Sequence, residues 1–298
     1  MTDAAGFRSG FVALVGKPNV GKSTLLNAYL GKKISIVSPK PQTTRQRILG
    51  ILTRSDYQVA FIDSPGWHKP QHPLGKYMVS VAKSIIEEAD VVVMLIDAAQ
   101  GFKQEDEWVV EQVRASKRPA LLAINKVDRV GKAKLLPLIE AAAARELFQE
   151  IVPISATTRV QLDVLLTEMI ARLPEGPRWY EADQLTDQST EQIIREFIRE
   201  AALDATRQEV PHAVAVSVDE VTQKERVIVI RSTILVEREG QKAIIIGKKG
   251  QMLKRIGTVA RQDLERWLGQ AVYLELWVKV SPGWRDNPSL LRDLGYTS

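Results

Sequence analysis

One stretch decides the fold of the first half of the chain: Gly16-Lys17-Pro18-Asn19-Val20-Gly21-Lys22-Ser23. It matches the pattern G-x-x-x-x-G-K-[ST], in which glycines let the backbone curl until successive N–H groups face phosphate oxygens. An apolar run typical of a buried strand, residues 11–15, precedes the motif, and a helical pattern over residues 23–30 follows it. Because the motif requires this strand–loop–helix context, the sequence predicts a phosphate-binding loop here.

Two side chains of the loop have specific expected roles. The Lys22 ammonium would reach the β- and γ-phosphates of a nucleotide, and the Ser23 hydroxyl would bind Mg²⁺. Thr24, the next residue, completes the set of predicted nucleotide-binding positions in this loop. The competing interpretation is an ordinary glycine-rich turn with a surface lysine, so further motifs have to decide between the two.

A second motif ends the predicted strand 57–63. It consists of Asp63-Ser64-Pro65-Gly66, followed by Trp67. A carboxylate at this place can reach Mg²⁺ through a water, and the Gly66 N–H can meet the γ-phosphate. An ordinary turn after a strand can have the same composition, so this motif is weak by itself.

Two further motifs indicate which base is bound. They are Asn125-Lys126-Val127-Asp128, after the predicted strand 120–125, and Ser155-Ala156, after the predicted strand 151–155. The Asp128 carboxylate can accept hydrogen bonds from guanine N1–H and the N2 amino group, a pair that adenine does not offer. We expect Lys126 over the base plane, Asn125 tied to the phosphate loop and the Ala156 N–H at guanine O6. All four motifs end predicted strands, and open α/β sheets bind ligands at that edge.

The composition limits the remaining chemistry. With 41 basic and 36 acidic side chains the net charge is +5, which permits a nucleic-acid partner without requiring one. The absence of cysteine excludes disulfides, thiolate metal sites and cysteine nucleophiles. His68, His72 and His212 lack zinc-ligand spacing, so a metal would be a hard cation bound through oxygen, such as Mg²⁺. The longest apolar run and the N-terminal residues show no membrane-span or signal pattern, so we expect a cytoplasmic protein.

Strand and helix patterns alternate through the first half. Strands are predicted at residues 11–15, 57–63, 91–97, 120–125 and 151–155, and helices at 23–30, 75–88, 104–116, 135–148 and 162–172. Such alternation predicts an α/β domain with a mostly parallel sheet that helices cover on both faces.

The pattern changes after residue 173. Pro174, Gly176 and Pro177 lie close together, as in a linker. The elements then predicted are a helix at 190–208, strands at 213–220 and 226–237, helices at 242–246 and 251–268, and a strand at 271–280. This α-β-β-α-α-β order predicts a separate α+β domain. Tyr273 and Trp277 alternate along its last strand and are expected to pack inside.

A glycine loop joins the two later helices of this half. Gly247-Lys248-Lys249-Gly250 matches the GXXG loop that clamps about four nucleotides of single-stranded nucleic acid. Apolar residues 244–246 and 252–253 are expected to form the floor of a groove beside it. Ile246, Lys254 and Arg255 complete the candidate RNA-binding set, and no acidic residue occurs between positions 240 and 262. The alternative is a helix corner with solvated lysines.

The four nucleotide motifs together resemble those of the G domain of small GTPases. That family also has a Mg²⁺-binding threonine directly before an arginine in its first switch loop. In Pro41-Gln42-Thr43-Thr44-Arg45 the matching residue is Thr44, with Thr43 as the alternative. The resemblance therefore implies a Mg²⁺ site formed by Ser23, Thr44 and Asp63.

Hydrolysis of the nucleotide requires an aligned water and a neutralised phosphoryl group. Many GTPases place a glutamine after Asp-x-x-Gly to hold the water, but this chain has Trp67, which offers no acceptor. The chain shares this feature with a bacterial subgroup, and that resemblance implies K⁺ beside the phosphates, held partly by Asn19. The expected catalytic residues are Lys22, Thr44, Gly66 and Asn19. Unactivated turnover of about 10⁻⁴ to 10⁻³ s⁻¹ would suit a switch.

A G domain of this kind followed by a type II KH domain is the arrangement of the Era family of GTPases. The resemblance implies a P-loop GTPase domain at residues 1–175, a linker at 176–188 and a type II KH domain at 189–298. It implies GTP and GDP as ligands, and the 3′ end of 16S rRNA and the 30S ribosomal subunit as partners. It also implies a loose association with the cytoplasmic face of the inner membrane. We expect a monomer.

Other classes of protein stay open at this point. The chain would alternatively be a GTPase that acts on another RNA, in modification or as a checkpoint. It would also fit a binding module whose G domain is an inactive scaffold, or an ATPase, which Asp128 disfavours. Measured GTP turnover would exclude the inactive scaffold, and a preference for guanine over adenine nucleotides would exclude the ATPase.

Overall fold

A computed structural model of the chain describes residues 6–40, 43–67, 73–206 and 210–296. These residues divide into two compact units. The first contains residues 6–35, 44–67 and 78–187, and the second contains 36–40, 43, 73–77, 188–206 and 210–296. Several positions named above lie outside the described residues: Pro41, Gln42, His68, His72, Gln208 and the side chain of His212.

A six-stranded sheet forms the centre of the first unit. Its strands are β1 (Arg8–Val15), β2 (Ile48–Thr53), β3 (Tyr57–Asp63), β4 (Val91–Asp97), β5 (Ala120–Asn125) and β6 (Glu150–Pro153). The helices of this half are α1 (Lys22–Leu30), α2 (Pro73–Glu88), α3 (Gln104–Ser116), α4 (Leu135–Ala143) and α5 (Leu162–Arg172). The strand order is β2-β3-β1-β4-β5-β6, with every pair parallel except β2 and β3. The predicted α/β fold is confirmed.

Alternating side chains of the central strand enter two separate cores. Val12 and Leu14 of β1 pack with residues of α1 and α5, whereas Ala13 and Val15 pack with residues of α2 and α3. Because both faces of the sheet are covered, its strands are apolar on both sides, as parallel strands require. The arrangement places the carboxyl ends of β1, β3, β4, β5 and β6 at one edge of the sheet.

One strand and several predicted boundaries in this unit differ from the structure. The sequence patterns did not indicate β2, a short apolar strand with Gly50 in the middle. Helix α4 ends at Ala143 and not at residue 148, and β6 ends at Pro153 and not at residue 155. Helix α4 ends at Ala143 because the chain turns at once, with Glu146 in the left-handed region at φ 47°.

The segment predicted to be a linker, residues 176–188, belongs to the first unit as far as Asp187. It is fixed by hydrogen bonds along the edge of the sheet. Gln58 Nε2 donates to the Tyr180 carbonyl at 2.9 Å, the Ile51 N–H donates to the Leu185 carbonyl at 2.8 Å, and the Thr186 hydroxyl donates to the Leu49 carbonyl at 2.6 Å. The segment therefore protects the β2 edge.

The second unit is built on a three-stranded sheet. Its elements are α6 (Thr190–Ala205), α7 (Val210–Ala213), β7 (Ala215–Gln223), β8 (Val227–Val236), α8 (Glu239–Ile246), α9 (Gln251–Leu268), β9 (Ala271–Val280) and α10 (Pro288–Asp293). The strand order is β7-β8-β9, with β7 antiparallel and β9 parallel to β8. Apart from the short α7, the predicted α-β-β-α-α-β order is confirmed. Ser189, one residue before the predicted start of the helix, accepts a hydrogen bond from the Gln192 N–H and caps α6.

Helices α6 and α9 bury the core of this unit against one face of the sheet. A charged group is buried with them: the Arg199 guanidinium is fully buried, pairs with Glu196 and donates to the Thr43 carbonyl. The C-terminal tail folds onto the same unit, since Trp284 is buried and its Nε1 donates to the Ala213 carbonyl at 2.8 Å. Within the described ranges no helix is both long and apolar enough to cross a membrane.

Candidate nucleotide site and nucleic-acid interface

The phosphate loop lies between β1 and α1, as predicted, and its backbone requires glycine at two places. Gly16 has φ 145°, and a Cβ there would lie 2.6 Å from the Leu95 carbonyl oxygen. Gly21 has φ 104° and precedes α1, and a Cβ there would lie 2.2 Å from Asn125 Nδ2. Both positions therefore exclude a side chain for reasons of space as well as of backbone conformation.

The lysine of the motif forms hydrogen bonds with the backbone of its own loop. Lys22 Nζ donates to the carbonyl oxygens of Gly16 and Lys17, each at 3.0 Å. Burial lowers the pKa of Lys22 to about 8, although the nearby Asp63 carboxylate works in the opposite direction. The loop thus holds the ammonium in place, but its two carbonyl partners and the Asp63 carboxylate do not offset the cost of burying the charge.

Three side chains predicted to bind Mg²⁺ come together beside this lysine. Ser23 Oγ donates to Asp63 Oδ2 at 2.6 Å, Ser23 Oγ lies 3.1 Å from Thr44 Oγ1, and Thr44 Oγ1 lies 3.5 Å from Asp63 Oδ2. A fourth group, Ser35 Oγ, donates to the same carboxylate oxygen at 2.8 Å. Sequence reasoning missed Ser35, which carries no motif signal.

The residues of this cluster fit Mg²⁺. All of them present oxygen atoms, which is the ligand type that a hard cation prefers. Asp63 is fully buried, and its Oδ1 has no hydrogen-bond partner among the described residues. Burial raises the pKa of Asp63, while Lys22 and the three hydroxyls lower it. A divalent cation would supply the charge that this buried carboxylate requires.

A second lysine of the loop has a partner that the sequence did not reveal. Lys17 Nζ forms a buried ion pair with Asp106 Oδ2 at 2.9 Å. The same oxygen accepts the Lys103 N–H at 2.9 Å at the start of α3. The pair joins residues 89 positions apart, and no local spacing could indicate it. It anchors the phosphate loop to the helix that follows β4.

The loops predicted to bind the base contact the phosphate loop, as expected. Asn125 Nδ2 donates to the Val20 carbonyl at 2.8 Å, which is the expected tie. Lys126 Nζ donates to the Asn19 carbonyl at 2.6 Å and to Asp97 Oδ2 at 2.8 Å. Partial burial opposes the effect, but Lys126 and the Ala99 N–H hold the pKa of Asp97 below its usual range. Asp97 ends β4, and its place at that edge was the signal that could have identified it.

The predicted guanine-reading residues also lie at this edge. Ser155 Oγ donates to Asp128 Oδ1 at 2.6 Å, which orients the carboxylate. The Ala156 N–H donates to Asn125 Oδ1 at 3.0 Å. Its hydrogen bond to guanine O6 stays a prediction.

Gly66 and Trp67 complete the edge. A Cβ at Gly66 would lie 2.8 Å from atoms of Pro18, so the turn packs directly on the phosphate loop. The Trp67 side chain is buried and its ring lies edge-on to Trp108, with 6.4 Å between the ring centroids. Ser64 Oγ donates to the Leu14 carbonyl at 2.7 Å and fixes the same turn. Trp67 therefore has a packing role and offers no acceptor to position a water.

The predicted residues of the first unit occupy one edge of one sheet. Residues 16–24 follow β1, 63–67 end β3, 125–128 end β5 and 155–156 follow β6. Thr24, Pro65 and Val127 lie there by position, and none of them makes a side-chain hydrogen bond with the cluster in the part of the chain that the structure describes. Edges of this kind form the ligand crevice of open α/β sheets.

The GXXG loop connects α8 and α9 in the second unit. Gly247 has φ 68° and ψ 177°, a conformation essentially restricted to glycine, and a Cβ there would lie 2.6 Å from Met252 Cβ. Lys248 and Lys249 are exposed, and Lys249 has φ 50°. The loop therefore presents two cations on a backbone that a phosphate can approach closely.

A groove of about 410 Å³ lies beside this loop, between α9 and β9. It is lined by Gly250, Leu253, Lys254, Gly257, Thr258, Arg261, Leu274 and Leu276. Lys254 and Leu253 were expected there. The two leucines of β9 and Arg261 were not, because the sequence does not show which strand borders α9.

Some predicted residues of this interface lie elsewhere. Arg255 is exposed on α9 but does not line the groove, and Ile245 is buried in the core. Ile246 ends α8 beside the loop without lining the groove. Tyr273 and Trp277, expected to pack inside, are both exposed, because α9 packs on the opposite face of β9, beside Leu274 and Leu276.

Fold and site together define a P-loop GTPase that carries a KH domain. A family model described as 50S ribosome-binding GTPase matches residues 11–126, and a KH domain model matches residues 209–285. The GTPase Era of Leuconostoc citreum (strain KM20) is 48% identical over 293 residues, which are 97% of each chain. The chain belongs to the Era family of GTPases.

Two solved structures agree with this assignment. The crystal structure of Era in complex with MgGDPNP and nucleotides 1506–1542 of 16S ribosomal RNA has a TM-score of 0.95 and 45% identity. It covers 98% of this chain and 100% of that chain. A crystal structure of an Aquifex aeolicus Era variant bound to GDP and AlF4⁻ has a TM-score of 0.96, 44% identity and the same coverage.

Proposed function

We propose that this GTPase is a nucleotide-controlled switch that binds the 3′ end of 16S rRNA and assists maturation of the 30S subunit. The observation that carries the proposal is the pairing of two sites in one chain. The hydroxyl–carboxylate cluster of Ser23, Thr44 and Asp63 suits a magnesium nucleotide. The exposed lysines of the GXXG loop stand at the mouth of a groove.

The roles of the nucleotide residues follow from their positions. Ser23, Thr44 and Asp63 would hold Mg²⁺, which when bound neutralises charge on the β- and γ-phosphates. Lys22 would exchange its two backbone carbonyl partners for phosphate oxygens. Asp128, oriented by Ser155, would accept the guanine N1–H and N2 amino protons. These donors and acceptors bind and orient the nucleotide, and they leave the attacking water without a side-chain partner at Trp67.

The rRNA is proposed because of the relative that binds it. That Era protein holds a fragment numbered 1506–1542, and the residues that form a KH groove are present here. Recognition of single-stranded RNA in such a groove combines backbone clamping at the GXXG loop with readout of splayed bases. A GTPase acting on another RNA would use the same groove, so the sequence of the RNA has to be tested.

The test is equilibrium binding of a short single-stranded RNA that copies the 3′ end of 16S rRNA. Lys249→Asp is the variant to use, since its φ of 50° suits Asp and the side chain is exposed. We expect the affinity for the RNA to fall at least about tenfold. The slope of log affinity against log salt concentration should decrease in magnitude by about one. Gly247→Asp would confuse the result, because it would strain the loop backbone.

A matched control exists in the first unit. Lys117 is exposed and has φ 56°, so Lys117→Asp makes the same charge reversal at the same backbone conformation. This variant should bind the RNA as the wild type does. Binding is compared with a non-hydrolysable GTP analogue, with GDP and with a scrambled RNA. Equal affinity for both RNAs in both nucleotide states would contradict the proposed switch on 16S rRNA.

We also propose that K⁺ takes part in hydrolysis, held partly by Asn19. Asn19 has φ 64° at the tip of the phosphate loop, and its carbonyl accepts Lys126 Nζ. Since Trp67 cannot position water, an added cation beside the phosphates would compensate. We expect turnover to be about tenfold or more faster in K⁺ than in Na⁺, and Asn19→Ala to remove the difference. Equal rates in both salts would refute the idea.

The cellular location is proposed from the family resemblance. We propose a cytoplasmic monomer with a loose association at the cytoplasmic face of the inner membrane. Cell fractionation at low and high salt, combined with sizing of the soluble fraction, would test both parts.

A further inference from the structure

The last strand of the second unit exposes two aromatic rings on one face. Tyr273 is 54% exposed and Trp277 is 48% exposed. Strand β9 lies at the end of the order β7-β8-β9. Val272, on the opposite side of the strand, is buried. Rings of this size, left in solvent on a well-formed strand, are typical of a surface that binds a partner.

The strand that carries these rings also borders the groove. Leu274 and Leu276, which alternate with Tyr273 and Trp277, line the groove beside the GXXG loop. Successive side chains of a strand point to opposite faces. Because β9 is an edge strand, a polymer that leaves the groove across β9 passes directly onto the aromatic side. We call Tyr273, Trp277 and Lys279 the aromatic face.

The spacing of the rings fits bases better than a continuous apolar partner. Four residues along a strand separate the two side chains by about 13 Å. Stacked bases are about 3.4 Å apart, so the rings would take bases that are separated along an extended strand. Between the rings lies Glu275, which forms an ion pair with Arg231 at 2.9 Å. A protein partner would have to bury this charged pair, whereas separate bases would not.

Near β9, this side of the sheet carries Asp219, Glu220 and Glu275 against Arg231 and Lys279, so these five side chains sum to a charge of −1. Arg231 also pairs with Glu220, and Asp219 accepts the hydroxyl of Thr233 at 2.7 Å. Lys279, exposed and two residues beyond Trp277, provides a positive group at the edge. With little net charge, the face would contribute through stacking, which tolerates any base.

We infer that the aromatic face is a second RNA subsite, which stacks bases of the same strand after it leaves the groove. The inference rests on the proposed RNA binding. A KH groove accommodates about four nucleotides, and an rRNA 3′ end is longer than that. The groove then provides base readout and phosphate clamping. The face adds affinity that depends on the length of the RNA and not on its sequence.

The experiment compares two lengths of RNA on the full chain with a GTP analogue. One RNA has five nucleotides and fills the groove; the others extend it by five nucleotides on the 5′ or the 3′ side. Trp277→Ala should leave the affinity for the short RNA within about twofold and weaken one extended RNA by about 5- to 150-fold. Tyr273→Ala should act in the same direction, and Trp277→Phe should retain most of the affinity. This loss of affinity should be nearly independent of the salt concentration.

Trp179→Ala is the matched control. Trp179 is 45% exposed and belongs to the first unit, so its removal should not affect either RNA. If Trp277→Ala and Tyr273→Ala bind both extended RNAs as the wild type does, the inference is wrong. The aromatic face would then be a surface for a protein partner. An equal loss for short and extended RNA also overturns it, since the ring would then support the groove. If the wild type binds none of the RNAs, the proposed function itself fails.

Discussion

Asp128→Asn is expected to change the nucleotide preference of the protein from GTP to XTP. The Asp128 carboxylate accepts Ser155 Oγ at 2.6 Å, and its other oxygen lies 4.0 Å from Arg129 Nε at the surface. An asparagine can keep the Ser155 hydrogen bond but presents an amide N–H₂ where guanine also presents donors. Two donors facing each other leave buried groups unpaired, so we expect GTP affinity to fall on the order of 10⁴-fold.

Xanthine has an oxygen where guanine has its N2 amino group, so it can accept from the new amide. The measurement is competition of GTP, XTP and ATP for the wild type and the variant, followed by turnover of each nucleotide. Asp163→Asn, an exposed change at the start of α5, is the matched control and should leave all three affinities unchanged. GTP affinity that survives in Asp128→Asn would show that the base is read elsewhere.

The strands that carry the motifs could be predicted, because each apolar run ends in a recognisable nucleotide-binding motif. Strand β2 could not be predicted. Its sequence is short and contains Gly50, over which Leu26 and Leu30 pack so closely that a Cβ would lie 2.5 Å from Leu26 Cδ1. A glycine in an apolar run ordinarily weakens the case for a strand. Here it is required by the helix above it, which only the assembled fold reveals.

The nucleotide site could be predicted by type and place, but not by its pairings. The hydroxyls of Ser23 and Thr44 and the carboxylate of Asp63 meet as expected. The ion pair between Lys17 and Asp106 has no local signature, since its partners are brought together by β1 and α3. The hydrogen bond from the Ala156 N–H to Asn125 Oδ1 has no local signature either, since the two residues are 31 positions apart.

The aromatic face shows a different limit of sequence reasoning. Period-two alternation separates Tyr273 and Trp277 from Leu274 and Leu276 but does not say which face is covered. Tryptophan is highly buried on average and tyrosine partly so, and burial was therefore the expectation. In the structure α9 covers the leucine side, and the rings remain in solvent. Large aromatic side chains that remain exposed on a strand are typical of a binding surface.

Lys22→Met is expected to lower GTP turnover by about 10²- to 10³-fold, because it removes a fixed cation from the place where phosphoryl charge develops. The unliganded variant should be at least as stable as the wild type near pH 7. Burial lowers the pKa of Lys22 from 10.5 to about 8, so the folded state disfavours the ammonium relative to the unfolded chain. Thermal unfolding therefore separates a loss of function from a loss of fold.

The same pKa makes GTP binding depend on pH with a definite sign. Polyphosphate favours the protonated lysine, so below pH 8 binding needs no added proton, and above pH 8 it must take one up. Affinity should fall by up to tenfold per pH unit above 8. Calorimetry at pH 8.5 in two buffers of different ionisation enthalpy should show uptake of about three quarters of a proton. For the same reason the unliganded wild type should gain stability between pH 8 and 10.5, where the unfolded lysine still binds its proton.

Lys22→Arg and Lys22→Met serve as the controls for this proton. Arginine stays charged at every pH used, and methionine has no charge to gain, so both variants should bind GTP without proton uptake at pH 8.5. If they take up as much as the wild type, the proton belongs to another group. If the wild type takes up none, Lys22 is already protonated in the unliganded protein, and its two bonds to the Gly16 and Lys17 carbonyls then outweigh the cost of burying the charge.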